Sequence, residues 1–281
     1  MFIRCLLLSF LLLIPASAFG QPLWTSPTPF DGITLEAQKP LFSDADGVSF
    51  FTSSWIVTGQ LALREDVRAG VDIGVSHYAQ RPDEPGFFPP SPEDIAETTV
   101  SNIGVFIAYD GFFPDLTIIA QGRLPTASNA LGNVGRVTGR YADIFRYDAF
   151  LADATTASLS GDYSVALDET FSLRARAGLV AQFTGERGAN QPARSDALMR
   201  YALQGWFEDD DLRIGVGAAG ITHLTDEFVG FVERTQVVLG ATAIARLGPV
   251  EPGMTIQVPM TDELGRQMDA SLTLSLGVPL R

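Results

Sequence analysis

Two histidines, His77 and His223, are the side chains best suited to act as general bases near neutral pH. A hydrolase would need one of them beside a nucleophile, with a carboxylate to orient the imidazole ring. The chain reads Ser-His-Tyr-Ala over residues 76–79 and Thr-His-Leu-Thr over 222–225, so neither His-x-Ser nor Asp-x-His occurs. We therefore predict no catalytic residues and no enzyme, and keep a surface hydrolase as an alternative.

Three other strings have the letters of ligand-binding motifs. Residues 215–220 read Gly-Val-Gly-Ala-Ala-Gly, which matches a dinucleotide fingerprint, but no helical periodicity follows it. The run Glu208–Asp211 is typical of a solvated cap at a tight turn. Asp44-Ala-Asp46-Gly47 lacks the rest of a calcium-binding loop and indicates a turn. We predict no cofactor and no metal site.

Composition and charge exclude several classes of protein. The 281 residues are 46% hydrophobic and 19% charged, which is typical of a folded protein. The formal net charge of -14 would repel a phosphate backbone, so nucleic acid is not an expected partner. The single cysteine, Cys5, excludes a disulfide framework. Lys39 is the only lysine, and the other basic residues are arginines.

The first residues have the pattern of an export signal. Arg4 precedes an apolar run, and Ala16-Ser17-Ala18 provides small residues for a signal peptidase. We predict a signal peptide over residues 1–18, a periplasmic segment over 19–30 and a β-barrel over 31–281. No later apolar run is long enough for a transmembrane helix.

Strict alternation of apolar and polar residues is the main structural signal. In the stretch 67–78, Val67, Val71 and Val75 share one parity, while Arg68 and Asp72 take the other. The same pattern recurs along the chain, and each instance indicates a strand with one apolar and one polar face. About twelve strands are predicted, near residues 31–42, 48–64, 67–79, 98–109, 115–126, 148–167, 170–184, 196–207, 212–224, 234–247, 253–260 and 268–280.

The connections alternate between short and long. Short acidic or Pro/Gly-containing turns, such as Glu65-Asp66, are followed by long polar loops, such as 80–97 and 127–147. With an even number of strands, the first strand begins and the last strand ends on the side of the short turns, so both termini of the chain lie there. This layout predicts an all-β, closed antiparallel transmembrane β-barrel with short periplasmic turns and long extracellular loops.

The charged residues test which face meets lipid. Charge on the lipid face of a barrel is costly, so charged residues should share the polar parity and face the lumen. Those predicted to line the lumen and solute pathway are Arg68, Asp72, Arg123, Arg174, Arg176, Arg200, Arg213 and Arg246. The alternative is a secreted soluble β-barrel or sandwich that binds a ligand, in which the apolar rows would point inward.

The lumen-facing arginines allow two interpretations. Unpaired, they would form a cationic ring that favours anionic solutes. Paired with Asp72, Asp162 and the acidic turns, they would simply fill the interior. Apolar side chains on the same parity, including Phe106 and Trp206, would suit an aromatic solute. A narrow channel or transporter for small anionic or aromatic solutes is the leading hypothesis.

The passage Asp115–Ala127, a strand running into Leu-Pro-Thr, resembles outer-membrane transporters associated with the meta pathway of phenol degradation. The resemblance spans the mature chain, rests on architecture, and implies no role for any single residue. It implies location in the outer membrane of a Gram-negative bacterium, with the bilayer, the assembly machinery and a small solute as partners. The C-terminal Val278-Pro279-Leu280-Arg281 departs from the terminal aromatic residue of many such barrels.

Overall fold

The strands form one antiparallel sheet that closes on itself. A computed structural model describes residues 31–43, 45–86, 88–89, 91–113, 115–127, 134–185, 193–225 and 233–280. The strands are β1 (Gly32–Phe42), β2 (Ser53–Arg64), β3 (Val67–Gln80), β4 (Ile95–Val100), β5 (Ile103–Phe113), β6 (Leu116–Leu124), β7 (Ala154–Ala166), β8 (Phe171–Thr184), β9 (Arg194–Glu208), β10 (Leu212–His223), β11 (Thr235–Ala245), β12 (Glu251–Pro259) and β13 (Met268–Pro279). Strands adjacent in the sequence pair with each other, except β4 and β5, which both pair with β3. β1 also pairs with β13, which closes the barrel.

The barrel has twelve strand positions because β4 and β5 share one of them. Both pair with β3, in the registers Val75↔Val100 and Asp72↔Gly104, which differ by one residue. The extra residue lies at the break formed by Ser101 and Asn102, and it reverses which parity faces outward. This explains why the predicted fourth strand, 98–109, has apolar residues on both parities.

The apolar rows face outward and the charged residues face inward. Thr34, Glu36 and Gln38 of β1 are buried, whereas Ile33 and Leu35, on the opposite parity, are exposed. Every strand position exposes a large aliphatic side chain, as shown by Leu35, Val57, Val71, Val105, Leu124, Leu159, Leu179, Leu203, Val216, Leu239, Ile256 and Leu274. The transmembrane barrel is confirmed, and the alternative of a soluble protein with inward apolar rows is wrong.

Aromatic side chains lie near both ends of the apolar band. Phe50 and Phe51 are exposed where β1 connects to β2, and the Lys39 ammonium lies 4.8 Å from the Phe50 ring centroid. Phe112 and Phe113 are exposed at the opposite end, where β5 turns into β6. Such aromatic girdles mark the two membrane interfaces of a barrel.

The tight turns lie at one end of the barrel, together with the start of β1 and the end of β13. In the turn between β7 and β8, backbone N–H groups of Thr170 and Phe171 donate to the Asp168 carboxylate and lower its pKa. The opposite end carries the long connections, including α2 (Asp262–Gln267). Within the ranges given above, no helix is both long and apolar enough to cross a bilayer.

The connection between β6 and β7 does not form the polar extracellular loop predicted for residues 127–147. It contains α1 (Val134–Ala142) and a 3₁₀ helix (Ile144–Phe150), in which nearly every residue is buried. The predicted strand 148–167 is therefore also wrong at its start, since β7 begins at Ala154. Asp153 shares the parity of the outward row but precedes β7, with a φ of 51°. We call residues 134–152 the plug.

Some predictions fall on residues outside the described ranges. These are the signal peptide over 1–18, the periplasmic segment over 19–30, and Asp44 of the acidic turn. The first and eleventh predicted strands, 31–42 and 253–260, agree closely with β1 and β12.

An arginine at the middle of the lipid face should destabilise the barrel more than one at its rim. Leu159 is 60% exposed near the centre of β7, and Leu63 is 62% exposed near the end of β2. We expect Leu159→Arg to lower the free energy of unfolding in lipid vesicles by about 2–4 kcal/mol, and Leu63→Arg by about 0–1 kcal/mol. Urea unfolding measures both, and equal losses would contradict the lipid-facing assignment.

Candidate functional site: the plugged lumen

The plug is attached to the inner wall by hydrogen bonds at both of its ends. At the start of α1, the Glu97 carboxylate accepts hydrogen bonds from Val134 N and Gly135 N, at 3.0 and 3.4 Å. A carboxylate there is favoured by the unpaired N–H groups and the dipole of the helix. At the other end, Asn102 Nδ2 donates to Asp148 O and Leu151 O, at 3.0 and 2.6 Å. The break between β4 and β5 thus supplies the amide that binds the plug.

Close packing also fixes the plug. Gly139 leaves no room for a Cβ atom beside the Phe150 ring, so α1 and the 3₁₀ helix approach closely. Apolar plug side chains such as Tyr141 and Phe145 join one buried cluster with Tyr78 and Leu198 of the wall. The plug is therefore a packed part of the barrel core.

Asp148 is the centre of an ion-pair network between plug and wall. Its carboxylate lies 3.1 Å from Arg200 Nη2 and 3.4 Å from Arg123 Nε, and it accepts a hydrogen bond from Thr156 Oγ1. Arg123 Nη1 also donates to Asp72 at 2.6 Å. All these charged groups are buried, so each needs its opposite charge.

A second ion pair ties the plug to β1. Arg146 Nη2 donates to Glu36 Oε1 at 3.0 Å, and Arg146 Nε lies 3.5 Å from Asp143. Asp143 also accepts a hydrogen bond from Phe145 N and caps the 3₁₀ helix. The plug's side of these ion pairs thus consists of Arg146, Asp143 and Asp148.

The remaining predicted lumen residues form ion pairs nearer the short-turn end. Asp162 of β7 pairs with both Arg174 and Arg176 of β8. Arg68 pairs with Asp110, and Glu208 lies 3.3 Å from Arg213 and 3.8 Å from Arg246. Seven of the eight predicted residues lie on the inner face of the strands, and Arg246 follows β11 in the short connection to β12. Every arginine among them has an acidic partner. Of the two interpretations of the arginines, the structure shows pairing.

The interior contains cavities of very different sizes. An open vestibule of about 470 Å³ lies at the short-turn end, bordered by Arg68, Asp110, Asp162 and Glu208 among others. Between the plug and the wall lies a cavity of about 30 Å³, which we call the seam cavity. The plug therefore narrows the lumen between the vestibule and the end of the barrel that carries the long connections.

The two histidines lie on opposite faces of the wall. His77 shares the outward parity of Val75 and contacts Thr98 Oγ1 at 2.9 Å. His223 is buried inside, where its Nδ1 lies 2.6 Å from Asp196 Oδ2. The ring of Tyr147 meets the His223 ring edge-on, with centroids 6.3 Å apart. Across the described ranges, no three His, Cys, Asp or Glu side chains are grouped to hold a metal ion.

Sequence reasoning missed the plug residues Asp143, Arg146 and Asp148, and the Asp196 partner of His223. Asp148 is the first residue of the predicted strand 148–167, whereas the structure places it in the 3₁₀ helix. The signal that could have found the plug is the loss of alternation after Thr126, followed by the amphipathic pattern of α1.

These features define the class of protein: a closed barrel with a lipid-facing exterior and a lumen occupied by one of its own connections. No family model and no curated protein matches the sequence. Among solved structures, an outer-membrane channel of Pseudomonas putida F1 aligns with a TM-score of 0.61 at 12% identity, over 95% of this chain and 99% of that one. LpxR from Salmonella typhimurium has a TM-score of 0.54 at 9% identity, over 89% and 100%. The NanC porin has a TM-score of 0.51 at 8% identity, over 88% and 100%. These likenesses show the outer-membrane barrel fold.

Removal of the Asp148 charge should loosen the plug. Asp148→Asn leaves the buried Arg200 without its carboxylate, which should weaken docking of the plug by about 3 kcal/mol. Hydrogen exchange of the 3₁₀-helix amides should become about 100-fold faster. Asp94→Asn, at an exposed loop position, is the matched control and should leave this exchange unchanged. Unchanged exchange in Asp148→Asn would show that packing alone holds the plug.

Proposed function

We propose that this protein is an outer-membrane channel for small solutes, in which the plug forms the constriction. The observation that carries the proposal is the sorting of the wall: aliphatic rows face outward, and a charged, hydrogen-bonding surface faces inward around the vestibule. A barrel of about twelve strands is wider than those filled by their own side chains. Here the extra width is occupied by the plug.

Location in the outer membrane of a Gram-negative bacterium belongs to this proposal. The exposed apolar band and its aromatic girdles support this location. The closed barrel supports it too, because its backbone hydrogen bonds can all be satisfied within hydrocarbon. Export by the signal peptide over 1–18 and insertion by the outer-membrane assembly machinery are further parts of it. The channel and porin named above support a channel as the function.

The solute class in the proposal is small and anionic or aromatic. Arg123 and Arg213 are among the largest fully buried side chains of the described residues. The eight predicted residues proposed to border the pathway are Arg68, Asp72, Arg123, Arg174, Arg176, Arg200, Arg213 and Arg246. Ion pairing reduces their net charge, but guanidinium N–H groups remain hydrogen-bond donors for an anion. Likeness to the meta-pathway transporters favours an aromatic solute.

We further propose that the protein is not an enzyme. The outward His77 and the inward His223 cannot share one site, and the His223–Asp196 pair lies in the packed interior beside the plug. This arrangement favours a structural role for His223 in joining β9 to β10. A surface hydrolase is the alternative, and His223→Ala would then abolish lipid or peptide cleavage.

Conductance across planar bilayers tests the channel. We expect discrete currents with anion preference, measured as a reversal potential in a salt gradient, and several-fold larger currents in Asp148→Asn because its plug is loosened. The double variant Arg174→Glu and Arg176→Glu should lose the anion preference, since it replaces two lumen cations with anions. Arg64→Glu, at an exposed turn, is the control and should retain it. Silence from both wild type and Asp148→Asn would overturn the channel.

A further inference from the structure

We propose that the seam cavity is a binding site for the carboxylate group of a small solute. The proposal rests on the proposed function only in assuming that solutes reach the lumen. The proposal specifies where in the lumen a solute binds and which chemical group of the solute is bound, and it makes Arg146 of the plug a ligand-binding residue.

The side chains around the seam cavity are unusually rich in cations. Arg146 of the plug meets Arg123, Arg176 and Arg200 of the wall there, and none of the residues that line the cavity is acidic. Ser158 and Ser160 add hydroxyl groups from β7. The carboxylates that neutralise these arginines, including Asp148 and Glu36, do not border the cavity. An anion in the cavity would therefore meet hydrogen-bond donors and no competing negative charge.

Two of these arginines have buried nitrogen atoms that no acceptor satisfies. Arg146 Nη1 and Arg200 Nε make no hydrogen bond to any residue that the structure describes, although Arg146 is only 4% exposed and Arg200 only 7%. Their ion pairs use other nitrogens: Arg146 Nη2 contacts Glu36, and Arg200 Nη2 contacts Asp148. Buried donors are normally paired, so a cavity beside two unsatisfied donors calls for an acceptor.

The shape and chemistry of the site favour a carboxylate. A volume of about 30 Å³ holds roughly two water molecules, which suits the two oxygens of a carboxylate better than a tetrahedral oxyanion. Guanidinium groups donate paired N–H bonds to such planar anions. Ile119, Phe145 and Val180 form an apolar side of the same cavity. The solute that fits is a monocarboxylate with a small apolar remainder.

Calorimetric titration of the folded protein in detergent tests the site, with acetate as the probe and acetamide as its uncharged analogue. Ionic strength is held constant with sodium chloride. We expect saturable binding of one acetate per chain, and no binding of acetamide at the same concentrations, because only the charged probe can use the arginines. This comparison needs no variant. Absence of acetate binding, or equal binding of acetamide, would overturn the site.

Two variants locate the binding. Arg146→Gln and Arg200→Gln should each weaken acetate binding at least about tenfold, since each removes a charged donor. Arg266→Gln, on the exposed face of α2, is the matched control and should bind acetate as wild type does. Heat-modifiable gel mobility verifies that each barrel is folded. Acetate affinity unchanged in both folded variants would place the anion elsewhere and overturn the proposal.

Binding and conductance separate this proposal from the proposed function. Currents without saturable acetate binding would leave the channel standing and remove the carboxylate site. Acetate binding that depends on Arg146 and Arg200, without currents, would support the site and remove the channel.

Discussion

Hydrocarbon offers no hydrogen-bond partners, and this property of the solvent determines the arrangement of the molecule. Backbone groups in the membrane must pair within the sheet, so β1 and β13 join and the wall closes. Side chains that carry charge must point away from lipid, which leaves only the lumen for them. In the sequence, this separation of apolar from charged side chains is seen as alternation along each strand. In the structure, it is seen as the exposed apolar rows that include Leu159 and Leu274.

Concentrating charge inside creates a second requirement, since buried arginines need carboxylates. Wall strands supply some of these, as Asp162 does for Arg174 and Arg176. The plug supplies others, because Asp148 lies between Arg123 and Arg200, which come from strands apart in the sheet. The plug therefore fills a lumen too wide for wall side chains alone, and its Asp148 supplies a carboxylate to two wall arginines.

Much of the barrel could be predicted from sequence because a period of two reports directly on lipid facing. The inward placement of Arg68 and Asp72 followed from parity alone, as did the outward placement of Val71. The plug could not be predicted in this way, since its surroundings are protein on every side and impose no single period. Asp148 falls within the predicted strand 148–167 but belongs to the 3₁₀ helix of the plug. The pairing of His223 with Asp196 depends on the β9–β10 register. The break at Ser101 and Asn102 is visible in the sequence only as apolar residues on both parities. The two registers of β4 and β5 against β3 explain that mixture.

The contacts of the plug bear on how the chain folds. The plug follows β6, yet Arg146 contacts Glu36 of β1 and Ser271 Oγ donates to Ala142 O from β13, so its partners include the first and last strands. Those contacts are complete only after the two ends of the sheet have met. Ordering of the plug is thus coupled to the pairing of β1 with β13. This coupling makes assembly of the barrel more cooperative than pairing of adjacent strands alone would.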